Sequence, residues 1–190
     1  MKAIKVNVVR SLLSLVMIMV LFPACSQNKK KDTQQFVVEK PQMDIHAAVM
    51  SNSIEVVRQH IESGTDINTK DKFSGSTPLN TAAAFGKTRI ARELIDAGAD
   101  LSLKNNDGST PLHTAAFFGR VEIVQLLIDA HADKTLLNNF GATPRETVSG
   151  PFSEIEPVYE MIQQQMAPLG LQLNMEQIQK NRPVIAMMLQ

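Results

Sequence analysis

The pair Thr-Pro recurs at a fixed interval of 33 residues, in Thr77-Pro-Leu-Asn80, Thr110-Pro-Leu-His113 and Thr143-Pro-Arg-Glu146. A period of that length is the mark of a stacked repeat array, in which each unit buries its apolar face against the next. Thr followed by Pro is also the order in which a helix starts. The threonine hydroxyl accepts a backbone N–H as N-cap, and the proline lies in the first turn, where its missing N–H costs nothing. Ala82-Ala83 and Ala115-Ala116 then give small surfaces that let neighbouring helices approach closely. A second helix follows Gly86 or Gly119. Its apolar positions Ile90, Ala91, Leu94 and Ile95 recur as Ile123, Val124, Leu127 and Ile128, one buried stripe at helical spacing.

The run Gly108-Ser-Thr-Pro-Leu-His-Thr-Ala-Ala116, leading to Gly119-Arg-Val-Glu-Ile-Val-Gln-Leu-Leu127, resembles an ankyrin repeat. The resemblance implies an all-α solenoid of helix-turn-helix units with projecting hairpin loops. Four units are expected, at 42–67, 76–100, 109–133 and 142–166, followed by a C-terminal helical cap at 167–190. The first unit, with Asp44-Ile-His-Ala-Ala48 and Ile54 to Ile61, lacks Thr-Pro and has His60 in the slot of Leu94 and Leu127, departures that suit a terminal unit with one solvent-facing side. In the fourth, Thr143-x-x-Glu146 forms a capping box, and the second helix is expected from Ser153 to Met166. Beyond it the spacing predicts two short helices divided near Asn181, covering the last repeat or making a homo-oligomer interface. His131 stands where other units close the helix with glycine and is expected to be left-handed.

Residues 1–24 combine Lys2, Lys5 and Arg10 with an apolar run from Ser11 to Phe22, the layout of a secretory signal and too short for a spanning helix. Leu21-Phe-Pro-Ala-Cys25 resembles a bacterial lipobox, which implies lipidation of the only cysteine; Phe22 and Pro23 depart from the commonest form. The alternative is an ordinary signal peptide cut nearby, leaving a free thiol. At about 0.8 kcal/mol per buried methylene, two acyl chains of about 16 carbons give roughly 25 kcal/mol gross, enough for stable anchoring. Ser26 after the cysteine makes the outer membrane the expected destination, with the chain facing the periplasm on a polar tether through residue 41. Removing residues 1–24 takes three of 19 basic and none of 19 acidic residues, so the remainder has a formal charge of minus 3. That balance does not point to nucleic acid.

No nucleophile elbow, phosphate loop or metal-ligand spacing is present, and the four histidines are scattered. A non-catalytic protein without cofactor or metal is expected. The ankyrin resemblance implies partner binding along a concave face made of hairpin tips and the residues after the Ala-Ala pair. On this chain those positions are Phe73, Ser74 and Ser76; Ala84 and Phe85; Asn106, Asp107 and Ser109; Phe117 and Phe118; and Asn139 and Phe140. Five of the eight phenylalanines fall in this set, which favours an aromatic contact strip for a protein partner. Phe85 and Phe118 have a competing assignment, packing between repeats. The competing function is a structural, oligomer-forming envelope lipoprotein.

Overall fold

The computed structural model describes residues 40–190; the expected signal segment, Cys25 and most of the tether lie outside them. Three helix pairs come first: α1 Ile45–Met50 with α2 Ile54–Glu62, α3 Pro78–Phe85 with α4 Thr88–Asp96, and α5 Pro111–Phe117 with α6 Val121–Asp129. A 3-10 turn at Glu146–Val148, α7 Phe152–Met166, a second 3-10 turn at Ala167–Leu169 and α8 Met175–Met188 complete the order. No strand occurs among the described residues.

The caps form as the Thr-Pro pattern predicts. The Thr77 hydroxyl accepts the Asn80 N–H, and Thr110 makes a reciprocal box with His113. Asp44 does the same work in the first unit, accepting the N–H groups of His46 and Ala47. First helices stack on first helices through Ala82, Ala83, Ala115 and Ala116, all fully buried. Second helices stack through Ile90, Ala91, Leu94, Ile123, Val124 and Leu127, also fully buried. At about 1.5–3 kcal/mol for each large apolar side chain, this stripe is the main favourable term holding unit to unit.

His60 departs from expectation. It is buried, with one ring nitrogen 2.7 Å from the Met43 carbonyl and the other 3.1 Å from the Thr65 hydroxyl. The polar residue in a leucine slot thus ties the chain entering the first unit to the turn leaving it. His131 is left-handed, at φ 63°.

The fourth unit differs more. The expected helix after Ser153 does form, as α7, but it does not stack as a second helix. That place belongs to α8, which packs against α6 and the 3-10 turn as each second helix packs against its neighbour and its partner. A Cβ on Gly86 would meet the Arg120 side chain that opens α6; a Cβ on Gly119 would meet Ile178 of α8. In this register Ile185 takes the place of Leu127, and both are fully buried in one core. The fourth unit is therefore split, with residues 151–174 inserted between its halves.

The expected break near Asn181 is absent, since α8 runs unbroken through Pro183. Ile178, Ile185 and Leu189 are buried along it, and the Asn181 amide donates to the Gly119 carbonyl at 2.8 Å. Pro183 is exposed, as is Gln179, whose carbonyl loses its donor, and the packing of α8 outweighs the proline penalty of about 3 kcal/mol.

Candidate interaction surface

The projecting loops are built by one device repeated three times. An Asx side chain opens each loop and accepts backbone N–H groups across the turn. Asp71 takes those of Phe73, Ser74 and Ser76; Asn105 those of Asp107 and Ser109; Asn138 those of Phe140 and Ala142. Each loop is closed by a backbone bond from the Asx N–H, to Ser76, Ser109 and Ala142 respectively. Burial alone would raise the Asp71 carboxyl, but the Ser74 hydroxyl and the N–H groups of Ser74, Phe73 and Ser76 hold it below its ordinary value.

Successive loops are joined by a ladder of three rungs. The Asn106 N–H donates to the Ser74 carbonyl and the Asn139 N–H to that of Asp107. The side-chain amides of Asn106 and Asn139 donate to the carbonyls of Phe73 and Asn106, each at 2.9 Å. Lys70 reaches the Lys104 carbonyl at 2.6 Å, and Lys104 reaches that of Leu137 at 2.8 Å. First helices hold the ladder from behind: Asn80 donates to the Leu103 carbonyl, and His113 Nε2 lies 3.0 Å from that of Ala142. His113 Nδ1 accepts the Thr110 N–H, so the ring is neutral with its proton on Nε2. Burial pushes its pKa below the ordinary value, and the Ala142 carbonyl opposes that shift.

The expected contact residues separate into two groups. Phe73, Ser74, Asn106, Asp107, Asn139 and Phe140 are exposed at the loop tips, with Ser76 and Ser109 half-buried beside them. Phe73 is 95% and Phe140 80% exposed, side chains that do not contribute to the core. Ala84, Phe85, Phe117 and Phe118 are half-buried. The Ala84 carbonyl accepts from Arg120 at 3.0 Å.

The three phenylalanines pack against a second apolar cluster of Tyr159, Leu171, Leu173 and Ile178, drawn from the inserted segment and α8. The Tyr159 ring lies 4.7 Å from that of Phe117, and its hydroxyl donates to the Phe117 carbonyl. Phe85, Phe117 and Phe118 are thus covered by the chain's own insertion, and the continuous aromatic strip is reduced to its tips. Packing against the insertion thus takes up part of the surface of these three side chains, which stay half-buried. Helical spacing puts Tyr159 on one apolar face with Ile155, Val158 and Ile162, and the structure buries it there; its contact with Phe117 has no signature in the period, because the insertion interrupts the repeat.

Among the described residues no group of three or more His, Cys, Asp or Glu is placed to hold a metal ion, and no helix is long and apolar enough to cross a membrane.

Paired helices in register with loops projecting from one edge define a helical repeat solenoid. The family model for ankyrin repeats, in three copies, matches residues 45–138, and that segment consists of ankyrin repeats. The chain is 42% identical over 63 residues to protein phosphatase 1 regulatory subunit 27 of Homo sapiens, covering 33% of this chain and 40% of that protein. It is 38% identical over 61 residues to protein phosphatase 1 regulatory subunit 12A of Mus musculus, covering 32% of this chain and 6% of that one. The crystal structure of the ankyrin repeat domain of Bcl-3 superposes with a TM-score of 0.53 at 31% identity, covering 54% of this chain and 45% of that one. The matched segments therefore span less than half the length of each of these proteins.

Proposed function

We propose that the protein is a non-catalytic interaction module, lipid-anchored through Cys25 in a bacterial envelope and facing the periplasm, that binds a protein partner along its loop tips. The observation that carries this is the pair Phe73 and Phe140. Both rings stand almost fully in solvent on loops that the Asx bonds and the interloop ladder hold rigid. Rigid exposed aromatics with polar groups between them, here Asn106 and Asp107, have the make-up of a protein contact. The ankyrin repeats and the similarity to two regulatory subunits support an interaction role.

Burying each ring yields about 1.5–3 kcal/mol, so the two together give at most roughly 6, against an association cost of about 4–15. Polar contacts at the tips and confinement to one membrane surface supply the remainder. The test is to replace Phe73 and Phe140 by alanine and recover complexes from the native host after chemical cross-linking. Loss of a specific partner with an unchanged melting temperature supports the proposal. An unchanged partner set, with self-association that disappears when the exposed Val184 and Met187 of α8 are replaced by serine, supports the structural lipoprotein instead.

A further inference from the structure

At the C-terminal end of the stack, the 3-10 turn, the start of α7 and α8 surround a cleft of about 510 Å³. Val148, Phe152, Ala186 and Met187 make its apolar wall, and Arg145 and Arg182 are among the residues that line it. No aspartate or glutamate side chain lines it; Gln190, the last residue of the sequence, also lines it, with its backbone oxygen held by the Lys134 ammonium at 3.2 Å. Both arginines occupy slots that are apolar in the complete units. Arg145 follows Thr-Pro where Leu79 and Leu112 stand. Arg182 falls in the register of Val124, set by the seating of Ile178 on Gly119.

Arg182 is 4% exposed, and its three hydrogen-bond partners are neutral: the carbonyls of Thr147 at 3.3 Å and Gly150 at 3.0 Å, and the Tyr159 hydroxyl at 3.3 Å. Arg145 is exposed and donates from Nε to the Ala186 carbonyl at 3.3 Å. Neither joins an ion pair among the described residues. Glu146, the neighbour of Arg145, accepts from the N–H and hydroxyl of Thr143, and the Arg145 charge also helps to hold its carboxyl below the ordinary value although the two do not pair. Carbonyl dipoles satisfy guanidinium hydrogen bonds but leave the charge uncompensated, and a charge held this deep in protein is costly without an opposite one.

We propose that this cleft binds a carboxylate carried on an apolar body, supplied by an acidic, apolar segment of a protein partner. The carboxylate meets Arg145 at the rim with the Arg182 charge behind it, and the adjoining side chain lies on Phe152, Val148 and Met187. Guanidinium suits this role better than ammonium because its planar fork matches a carboxylate with two parallel bonds. The site lies at the end of the array and does not depend on the loop tips.

The experiment is an NMR titration of the full chain with the peptide acetyl-Leu-Glu-Phe-Glu-amide and with its uncharged counterpart acetyl-Leu-Gln-Phe-Gln-amide. The expected result is binding in the millimolar range, with amide shifts at Ser149, Gly150, Gln179 and Met187. Binding weakens about tenfold for the glutamine peptide and for Arg145→Gln, as expected for loss of a charge-assisted bond. Arg145 is exposed, so an unchanged unfolding midpoint shows that the variant is folded. The Phe73→Ala, Phe140→Ala double variant binds the peptide as the unaltered chain does, which separates this site from the loop tips. Equal response to both peptides, shifts confined to other surfaces, or no response overturns the proposal. Tighter binding of 3-phenylpropanoate than of the glutamate peptide overturns the assignment to a peptide segment.

Discussion

Replacing Gly108 by alanine breaks the loop ladder at its inner rung. Gly108 has φ 71°, and a Cβ there would lie 2.3 Å from the Asn139 side-chain oxygen and 2.7 Å from the Asn139 backbone nitrogen. The left-handed backbone costs a non-glycine residue about 1–2 kcal/mol. Relieving the clash moves Asn139, which loses its backbone bond to Asp107 and its amide bond to Asn106, each contributing about 0.5–1.5 kcal/mol. The expected loss is therefore about 2–5 kcal/mol. Gly141 is the control, because it has φ 72° but no atom within 4 Å of a built Cβ. Gly141→Ala costs only the backbone term, about 1–2 kcal/mol. Urea unfolding followed by far-ultraviolet circular dichroism measures both. Equal losses for the two variants would refute the claim that close approach of successive loops, rather than backbone conformation alone, requires glycine at position 108.

His131→Gly removes a left-handed histidine and raises stability by about 1 kcal/mol, seen as a higher melting temperature; an unchanged melt would show that the imidazole compensates its strain. Tyr159→Phe removes the hydroxyl that donates to Phe117 and accepts from Arg182, and should cost about 1–3 kcal/mol in the same urea experiment. His113 makes stability depend on pH: burial lowers its folded pKa below the ordinary 6.5, so the unfolded chain binds the proton first as pH falls. Its contribution is full above about pH 6.5 and declines below it, and His113→Asn, the residue found at position 80, should flatten that part of the profile measured by urea unfolding.

The repeat core was legible because its signals are local and redundant. Thr-Pro caps, Ala-Ala pairs and the Ile90 and Ile123 stripes each point to the same unit, and the structure places them in register. The loop-tip aromatics were legible through the family resemblance, which implied projecting positions for Phe73 and Phe140, and both are exposed. The fourth unit was not, because its second helix lies beyond the insertion of residues 151–174, and a fixed period cannot locate it. Pro183 argued for a break in α8, yet the burial of Ile178, Ile185 and Leu189 overrides local propensity. Phe85 and Phe118 were ambiguous between contact and packing for a related reason. Whether they face solvent is decided by Tyr159 and Leu171, whose arrival is a tertiary event with no signature in the repeats. Lys70 and Lys104 were readable in principle, since they stand at equivalent points of successive loops, but lysines on a polar loop look like ordinary solvated charge.

Partner binding at the loop tips is tested most directly by placing a photo-cross-linking phenylalanine analogue at position 73 or 140 in the native host, with position 161 on the exposed part of α7 as the control. The expected result is the same adduct, of one defined mass and dependent on irradiation, from 73 and 140 but not from 161. Adducts from all three positions alike, from 161 alone, or only between copies of this chain would contradict it.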